Sequence, residues 1–364
     1  MARFAILKKT KNLTTPFIVA RASRLCLPVL ACASPVLRLC FACASEAVKN
    51  RKPMNQPRIV SLIPSATEIV ALLGLTDAIV GRSHECDYPP EIQNLPVCTQ
   101  PKFNPEGTSS EIHNRVTELL QNALSVYKVE IDTLEKLQPT HIITQAQCEV
   151  CACSLTEVEQ AVSTLVNSKP EIISLQPNLL AEIWTDIQRV ADALGVDGKS
   201  AIDLLQSRID AIISQTQASS ILTTKERVPK VACIEWIEPL MAAGNWIPEL
   251  VAMAGGNSLF GIVGEHSPWL KRESLVKANP DVIIFMPCGF DLSRTRSEAM
   301  QITKYAEWPN LQAVKTGKVY ITDGNSYFNR PGPRLVDSLE ILAEILHPEI
   351  FDFGYRGKGW QPFS

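Results

Sequence analysis

The 364-residue sequence lacks the common signatures of catalysis. No G-x-G-x-x-G follows a strand-like run, no G-x-S-x-G elbow is present, and the five histidines (His84, His113, His141, His266, His347) form no H-E-x-x-H pair. Gly195-Val196-Asp197-Gly198-Lys199-Ser200 is only superficially like a phosphate loop, because its glycines are wrongly spaced and it joins helix to helix. No run of about 18 uncharged apolar residues occurs, so an ordinary membrane-spanning helix is not expected. A basic stripe with interleaved aromatics is also missing, which argues against nucleic acid as a partner. The body has seven cysteines, an odd number that argues against a complete disulfide framework.

What is present divides sharply by charge. Residues 1–53 hold ten Lys and Arg but one acid, Glu46, and the remainder is correspondingly acidic, with a net charge of −12. A basic start followed by the apolar stretch Leu25–Ala44 reads as a leader, with small residues at Ala42-Cys43-Ala44-Ser45 for cleavage. Val29-Leu30-Ala31-Cys32 is similar to a lipoprotein box, and an organelle transit peptide also fits the composition. The alternative is that Met54 is the true start. The first reading places the protein in the periplasm or cell envelope, the second in the cytoplasm.

Organised sequence begins near residue 57. Ile59-Val60-Ser61-Leu62-Ile63 is a buried-strand pattern stopped by Pro64, and Ser65-Ala66-Thr67-Glu68 offers a capping box for the helix that follows. Further strands are predicted at Ala78–Gly81, Ile142–Thr144, Ile172–Leu175, Val231–Ile234 and Val319–Ile321, with helical patterns between them. That alternation predicts parallel, helix-covered sheets. From Leu179 to Ala218 there is no proline, and apolar residues recur at three and four with one break at Gly195 and Gly198. The fold class expected is therefore α/β, with two Rossmann-like lobes joined by a single long rigid helix. The expected divisions are 1–53 (leader or mis-assigned start), 57–178 (first lobe), 179–220 (bridge), 226–350 (second lobe) and 351–364 (aromatic tail).

An internal repeat supports two similar lobes. Leu134–Ile143 parallels Leu275–Ile284, each reading as helix end, proline turn and strand, with an acid two residues before each block, Asp132 and Glu273. Glu68-Ile69-Val70-Ala71 likewise parallels Glu249-Leu250-Val251-Ala252.

Two groups of residues could carry chemistry. Aromatic and polar side chains stand where the loops of the two lobes should converge: Tyr88, Trp236, Tyr327, Phe328 and Arg330 after predicted strands, Trp246 before a helix, and Trp269 after a Gly-rich turn at Gly261 and Gly264. Rings with a few polar anchors suit a large, planar, partly apolar ligand, and Arg330 could hold a carboxylate, amide or phosphate. The second group is Cys148, Cys151 and Cys153 with Cys86 nearby, thiolate candidates for a metal or for redox exchange. Only one C-x-x-C occurs, so buried thiols or pocket lining is the competing interpretation.

Arg58–Glu68 (RIVSLIPSATE), Gly81–Pro90 (GRSHECDYPP), Trp246–Leu250 with Gly255-Gly256-Asn257, and Tyr327–Arg334 (YFNRPGPR) carry a resemblance. Across residues 57–350 the chain resembles the periplasmic binding proteins for vitamin B12 and ferric siderophores, above all their cobalamin-binding branch. The resemblance implies a non-enzymatic, monomeric component of an ABC importer, without a cofactor of its own, that holds cobalamin or another corrinoid between its lobes. It implies that His84, Glu85 and Tyr88 of the first lobe, and Trp236, Trp246, Trp269, Tyr327, Phe328 and Arg330 of the second, face the corrin ring. It places Gln145 where the family carries an aromatic after the third strand, and puts permease docking on Asp132 and Glu273. The chain departs from the family in an insertion, Lys102–Lys128, in its extra cysteines and in its tail. Without export, an intracellular corrinoid, haem or iron-chelate carrier would be the reading, and a cysteine-based metal or redox protein is the further alternative.

Overall fold

Short apolar runs rich in Ile and Val form the inner strands of two sheets in the computed structural model, which describes residues 56–122, 125–147, 153–222 and 228–363. The leader and both Cys148 and Cys151 lie outside the described residues. The first lobe runs β1 (Ile59–Ser61), α1 (Pro64–Leu72), β2 (Ile79–Arg82), β3 (Thr99–Pro101), α2 (Ser109–Gln121), β4 (Tyr127–Val129), α3 (Ile131–Leu137), β5 (His141–Gln145), α4 (Leu155–Ser163) and β6 (Glu171–Leu175). Its main sheet is parallel, in the order β2-β1-β5-β6. β3 and β4 pair separately as an antiparallel ribbon that carries the insertion and its helix α2.

Two helices then connect the lobes, α5 (Leu180–Leu194) and α6 (Lys199–Leu222). The expected single helix is thus a pair. The cause is local: Gly195 takes a left-handed φ of 69° and ends α5. Gly198 packs so close to α5 that a Cβ there would stand 2.8 Å from the Ala191 methyl.

The second lobe runs β7 (Lys230–Trp236), β8 (Met241–Ala242), α7 (Ile247–Met253), β9 (Asn257–Ser258), α8 (Arg272–Ala278), β10 (Val282–Phe285), α9 (Leu292–Ala299), α10 (Gln312–Lys315), β11 (Val319–Thr322), α11 (Leu335–Leu346) and β12 (Trp360–Pro362). β7, β10 and β11 are parallel, while β12 closes one edge antiparallel to β11. The tail is therefore part of this lobe's sheet. It is also tied to α11, where Glu344 accepts hydrogen bonds from the Trp360 indole N–H at 2.6 Å and the Tyr355 backbone N–H at 3.2 Å.

Strand alternation explains how the core is distributed. Val231 and Cys233 on one face of β7 join a core that also contains Ile59 and Ile143 of the first lobe, Ile183 and Ile187 of α5, and Leu339 and Ile341 of α11. Ala232 and Ile234, on the other face, pack with Phe285, Trp308 and Phe363 in a core confined to the second lobe. A single hydrophobic core thus passes from lobe to lobe through the connecting helices, which couples the lobes mechanically.

The repeat read from the sequence recurs in the backbone. α3 and α8 each have seven residues and end at a residue with φ 47°, Gln138 and Asn279, followed by proline and then the central strand. The expected capping box at Ser65 does not form, because Pro64 starts α1 and Ser65 Oγ has no hydrogen-bond partner. Glu68 is instead buried and turned toward the second lobe's arginines.

Candidate ligand-binding cleft

The carboxyl ends of β2 and β5 present polar groups. Just past β2, His84 Nδ1 lies 2.7 Å from Thr99 Oγ1, which also receives the His84 backbone N–H at 3.1 Å. Burial, aided by the charge of Arg82, holds the His84 imidazole below its ordinary pKa, so it is neutral at neutral pH. Glu85 accepts a hydrogen bond from the Tyr127 hydroxyl at 3.0 Å. Its side chain keeps 38% exposure, yet surrounding protein raises its pKa against the opposing pull of Tyr127 and Arg330. A carboxylate both crowded and solvent-accessible marks a cleft. Gln145 ends β5 at 2% exposure, and among the described residues neither its side-chain oxygen nor its nitrogen has a hydrogen-bond partner. An unpaired buried amide costs about 1–3 kcal/mol, which a bound polar group would relieve.

The second lobe presents rings. Trp236 pairs across strands with Met241, and Met241 with Trp269, so these side chains share one face of the sheet. Phe290 packs against Trp236 with ring centroids 5.3 Å apart. Among the described residues the buried indole N–H of Trp236 has no partner, and Trp269 is 60% exposed. The insertion crosses to this row at both ends. Arg294, over the Phe290 ring at 4.0 Å, donates to Gly107 O at 2.9 Å and Pro105 O at 3.3 Å. Buried Glu298 accepts from the Ser109 backbone N–H at 3.0 Å, and His113 meets Trp269 edge-on at 5.3 Å.

His84, Glu85, Gln145, Trp236 and Trp269 therefore stand at strand ends, with at least one surface or polar atom uncommitted. The other expected ligand residues are placed differently. Arg330 is 6% exposed and holds Asp87 bidentately at 2.6 and 2.9 Å, with Glu68 at 3.2 Å and Asn325 at 3.1 Å. Burial alone would raise the Asp87 pKa, but Arg330 overrides it and holds the carboxyl below its usual range. Arg334 adds a 2.7 Å contact to Glu68. Phe328 is fully buried, and its carbonyl accepts the indole N–H of buried Trp246 at 2.7 Å. Tyr327 packs edge-on against Tyr355 at 5.8 Å. Tyr88 lies beneath Arg334, 4.4 Å from its guanidinium, and lines a separate pocket of about 600 Å³ with Leu205, Arg208 and Pro333. The segment Tyr327–Arg334 is thus an interlobe clamp rather than a cleft wall. Gly332 completes it, since a Cβ there would lie 3.3 Å from the Ser65 backbone.

Tyr127, Thr99, His113 and Phe290 belong to the site but were not singled out in the sequence. Phe290 had a usable signal, its place just after β10. The other three reach the cleft through the β3–β4 ribbon and its insertion, whose pairing is not legible locally.

Asp132 and Glu273 are exposed and occupy the second position of the equivalent helices α3 and α8. Cys86, Cys98, Cys153 and Cys233 are buried free thiols pushed up to about 12 by burial, so they are protonated and poorly suited to redox or metal chemistry at neutral pH. Among the described residues no group of three or more His, Cys, Asp or Glu could hold a metal ion, and no helix is long and apolar enough to cross a membrane.

Comparison with known proteins agrees with this architecture. The chain is 22% identical over 297 residues to an uncharacterised ABC transporter substrate-binding lipoprotein of Bacillus subtilis, covering 81% of each chain. It is 24% identical over 299 residues to the vitamin B12-binding protein of Vibrio cholerae, covering 81% of this chain and 91% of that one. The solved periplasmic heme-binding protein of Pseudomonas aeruginosa superposes with a TM-score of 0.59 at 19% identity, over 81% of this chain and 94% of that one. The sequence profile of the periplasmic binding proteins matches residues 59–325, and the chain belongs to that family of non-enzymatic, solute-capturing components of ABC importers.

Proposed function

We propose that the protein captures a corrinoid of the vitamin B12 type outside the cytoplasm and hands it to a membrane permease. The observation that carries this reading is the charge state of the cleft. Around it stand exposed Trp269, a neutral imidazole and a partly exposed carboxyl, with the buried, unpaired Gln145 amide and Trp236 N–H behind them. Among the neighbouring arginines, Arg330 and Arg334 are paired with acids, while Arg294 is held by carbonyls of the insertion and Arg82 by those of Ser83, Cys86 and Gln93. Haem presents anionic propionates, and many ferric siderophores are anionic, so both need a free cation. A corrin ring is fringed with neutral amides, which the buried Gln145 amide and Trp236 N–H would pair once uncovered, and its faces suit Trp236, Phe290 and Trp269. The vitamin B12-binding protein of Vibrio cholerae among the relatives is in keeping with this choice.

In this reading Asp132 and Glu273, one per lobe at repeated positions, dock basic groups of the permease. N-terminal sequencing of the mature protein would test export; the expected result is a start beyond the basic leader. Calorimetric titration of the purified protein with cyanocobalamin, haem and a ferric siderophore tests the ligand. Cyanocobalamin should bind tightest, and folded protein that binds haem more tightly, or binds none of the three, would sink the proposal.

A further inference from the structure

The insertion is held to the second lobe by polar contacts rather than by a core. Its helix α2 has thirteen residues, yet only Ser109, the first of them, is buried. Ile112, Val116 and Leu119 are partly buried and Leu120 is exposed. An element that buries so little apolar surface detaches at low cost. Its position is set by α9 of the other lobe. Glu298, 7% exposed, accepts the Ser109 backbone N–H at 3.0 Å. That N–H is one of the donors a helix leaves open at its start, so a carboxylate of the second lobe caps a helix of the first, and the helix dipole adds to the attraction. One turn earlier on the same face of α9, Arg294 donates to Gly107 O at 2.9 Å and Pro105 O at 3.3 Å. From there a chain of contacts runs inward: the Arg294 guanidinium lies 4.0 Å over the Phe290 ring, and Phe290 packs on Trp236 at 5.3 Å. At its end the Trp236 N–H is buried without a partner among the described residues. A buried unpaired donor disfavours whatever covers it, so the covered state depends on the contacts made by Arg294 and Glu298. The base of the insertion is tied to the first lobe instead, by the β3–β4 ribbon and by the Tyr127 hydroxyl on Glu85 at 3.0 Å.

We propose that the insertion is a latched gate over the second lobe's rings: the contacts of Arg294 and Glu298 break to admit the macrocycle and re-form behind it, so these two residues set the rates of capture and release. The proposal rests on the corrinoid reading above. Arg294 and Glu298 are positioning residues, acting on the ligand through the insertion they hold. In the loaded, closed state Arg294 is again occupied by the carbonyls of Pro105 and Gly107.

Two measurements on the intact protein test this. In stopped flow, the observed rate of cyanocobalamin binding to the native protein should level off as ligand concentration rises, at the rate of gate opening. Arg294→Ala with Glu298→Ala should lift that ceiling and speed both association and dissociation by about 10-fold or more, with Kd moving less than either rate. A mere brace would lower Tm and leave both rates alone. The second measurement needs no ligand. Hydroxyl-radical footprinting should oxidise Trp236 several-fold faster in the double variant than in the native protein, while Trp246, 4% exposed, stays slow in both. If Trp246 is oxidised as well, the double variant has lost its fold, and Arg294→Ala alone, at a partly exposed position, replaces it with the same expected direction. A folded variant that binds cyanocobalamin at the native rates overturns the gate and leaves corrinoid capture standing. If the native protein binds no cyanocobalamin, corrinoid capture fails and footprinting alone decides: faster oxidation of Trp236 supports the latch, and unchanged oxidation overturns it.

Discussion

The first lobe ends its strands in polar groups, His84, Glu85 and Gln145, whereas the second ends its strands in rings, Trp236 and Phe290, with Trp269 alongside. Beneath these ends the lobes repeat each other: α3 and α8 share length, left-handed terminal residue and acid position, and each leads into a central strand. The repeated glutamates show how far the likeness extends. Glu68 is buried and receives two arginines from the other lobe, while among the described residues Glu249 accepts only the Leu180 backbone N–H, at 3.2 Å, at the start of α5. Backbone-determining positions have stayed alike, and side chains at the lobe interface and strand ends have taken different tasks.

Breaking the glutamate asymmetry should give the largest effect. Arg330→Met leaves Glu68 buried with one partner fewer and Asp87 without its bidentate partner, and should cost about 3–5 kcal/mol in chemical denaturation. Glu249→Gln, at the matching place, should cost about 1 kcal/mol or less. Equal losses would show that the two glutamates do the same work. Next comes the ring row: Trp236→Ala should weaken cyanocobalamin binding by about 30-fold or more in calorimetry. Unchanged affinity would remove the second lobe's rings from the site.

The aromatic row also shows what could be read in advance. Strands, helices, the break at Gly195–Gly198 and the lobe repeat were legible, because each depends on residues within a turn or two. The fates of individual rings were not. Trp236, Trp246 and Phe328 were grouped alike in the sequence, yet the Trp236 N–H has no partner among the described residues, while the Trp246 N–H bonds the Phe328 carbonyl. The capping box at Ser65 failed for a similar reason. Glu68 finds stronger partners in Arg330 and Arg334, which lie more than 260 residues away along the chain.

Two smaller effects sharpen the comparison further. Replacing Asp132 and Glu273 together by Ala should abolish permease-dependent uptake while changing stability by no more than about 0.5 kcal/mol, since both are exposed. Loss from either single variant alone, with none from the other, would break the equivalence of the two acids. The smallest effect lies in the connection between lobes. Burial pushes Asp186 of α5 up to about 6, against the pull of Arg189. The folded state then binds a proton more readily than the unfolded chain, so stability falls as pH rises from about 4 toward 6 and stays reduced above that. Asp186→Asn should therefore raise Tm by about 2–4 °C at pH 7.5 and leave it nearly unchanged at pH 4. An equal shift at both values would rule out the ionisation as the cause.

The sequence alone determined the α/β alternation, the helical connection and the paired lobes with their acids, because hydrophobic period, proline and glycine act locally. Only the tertiary structure decided that Arg330 clamps the lobes, that the tail completes a sheet, and that the insertion brings Tyr127 and His113 to the cleft. Those outcomes depend on which partners meet across the lobes, and burial makes a charge or ring commit to whatever partner it meets.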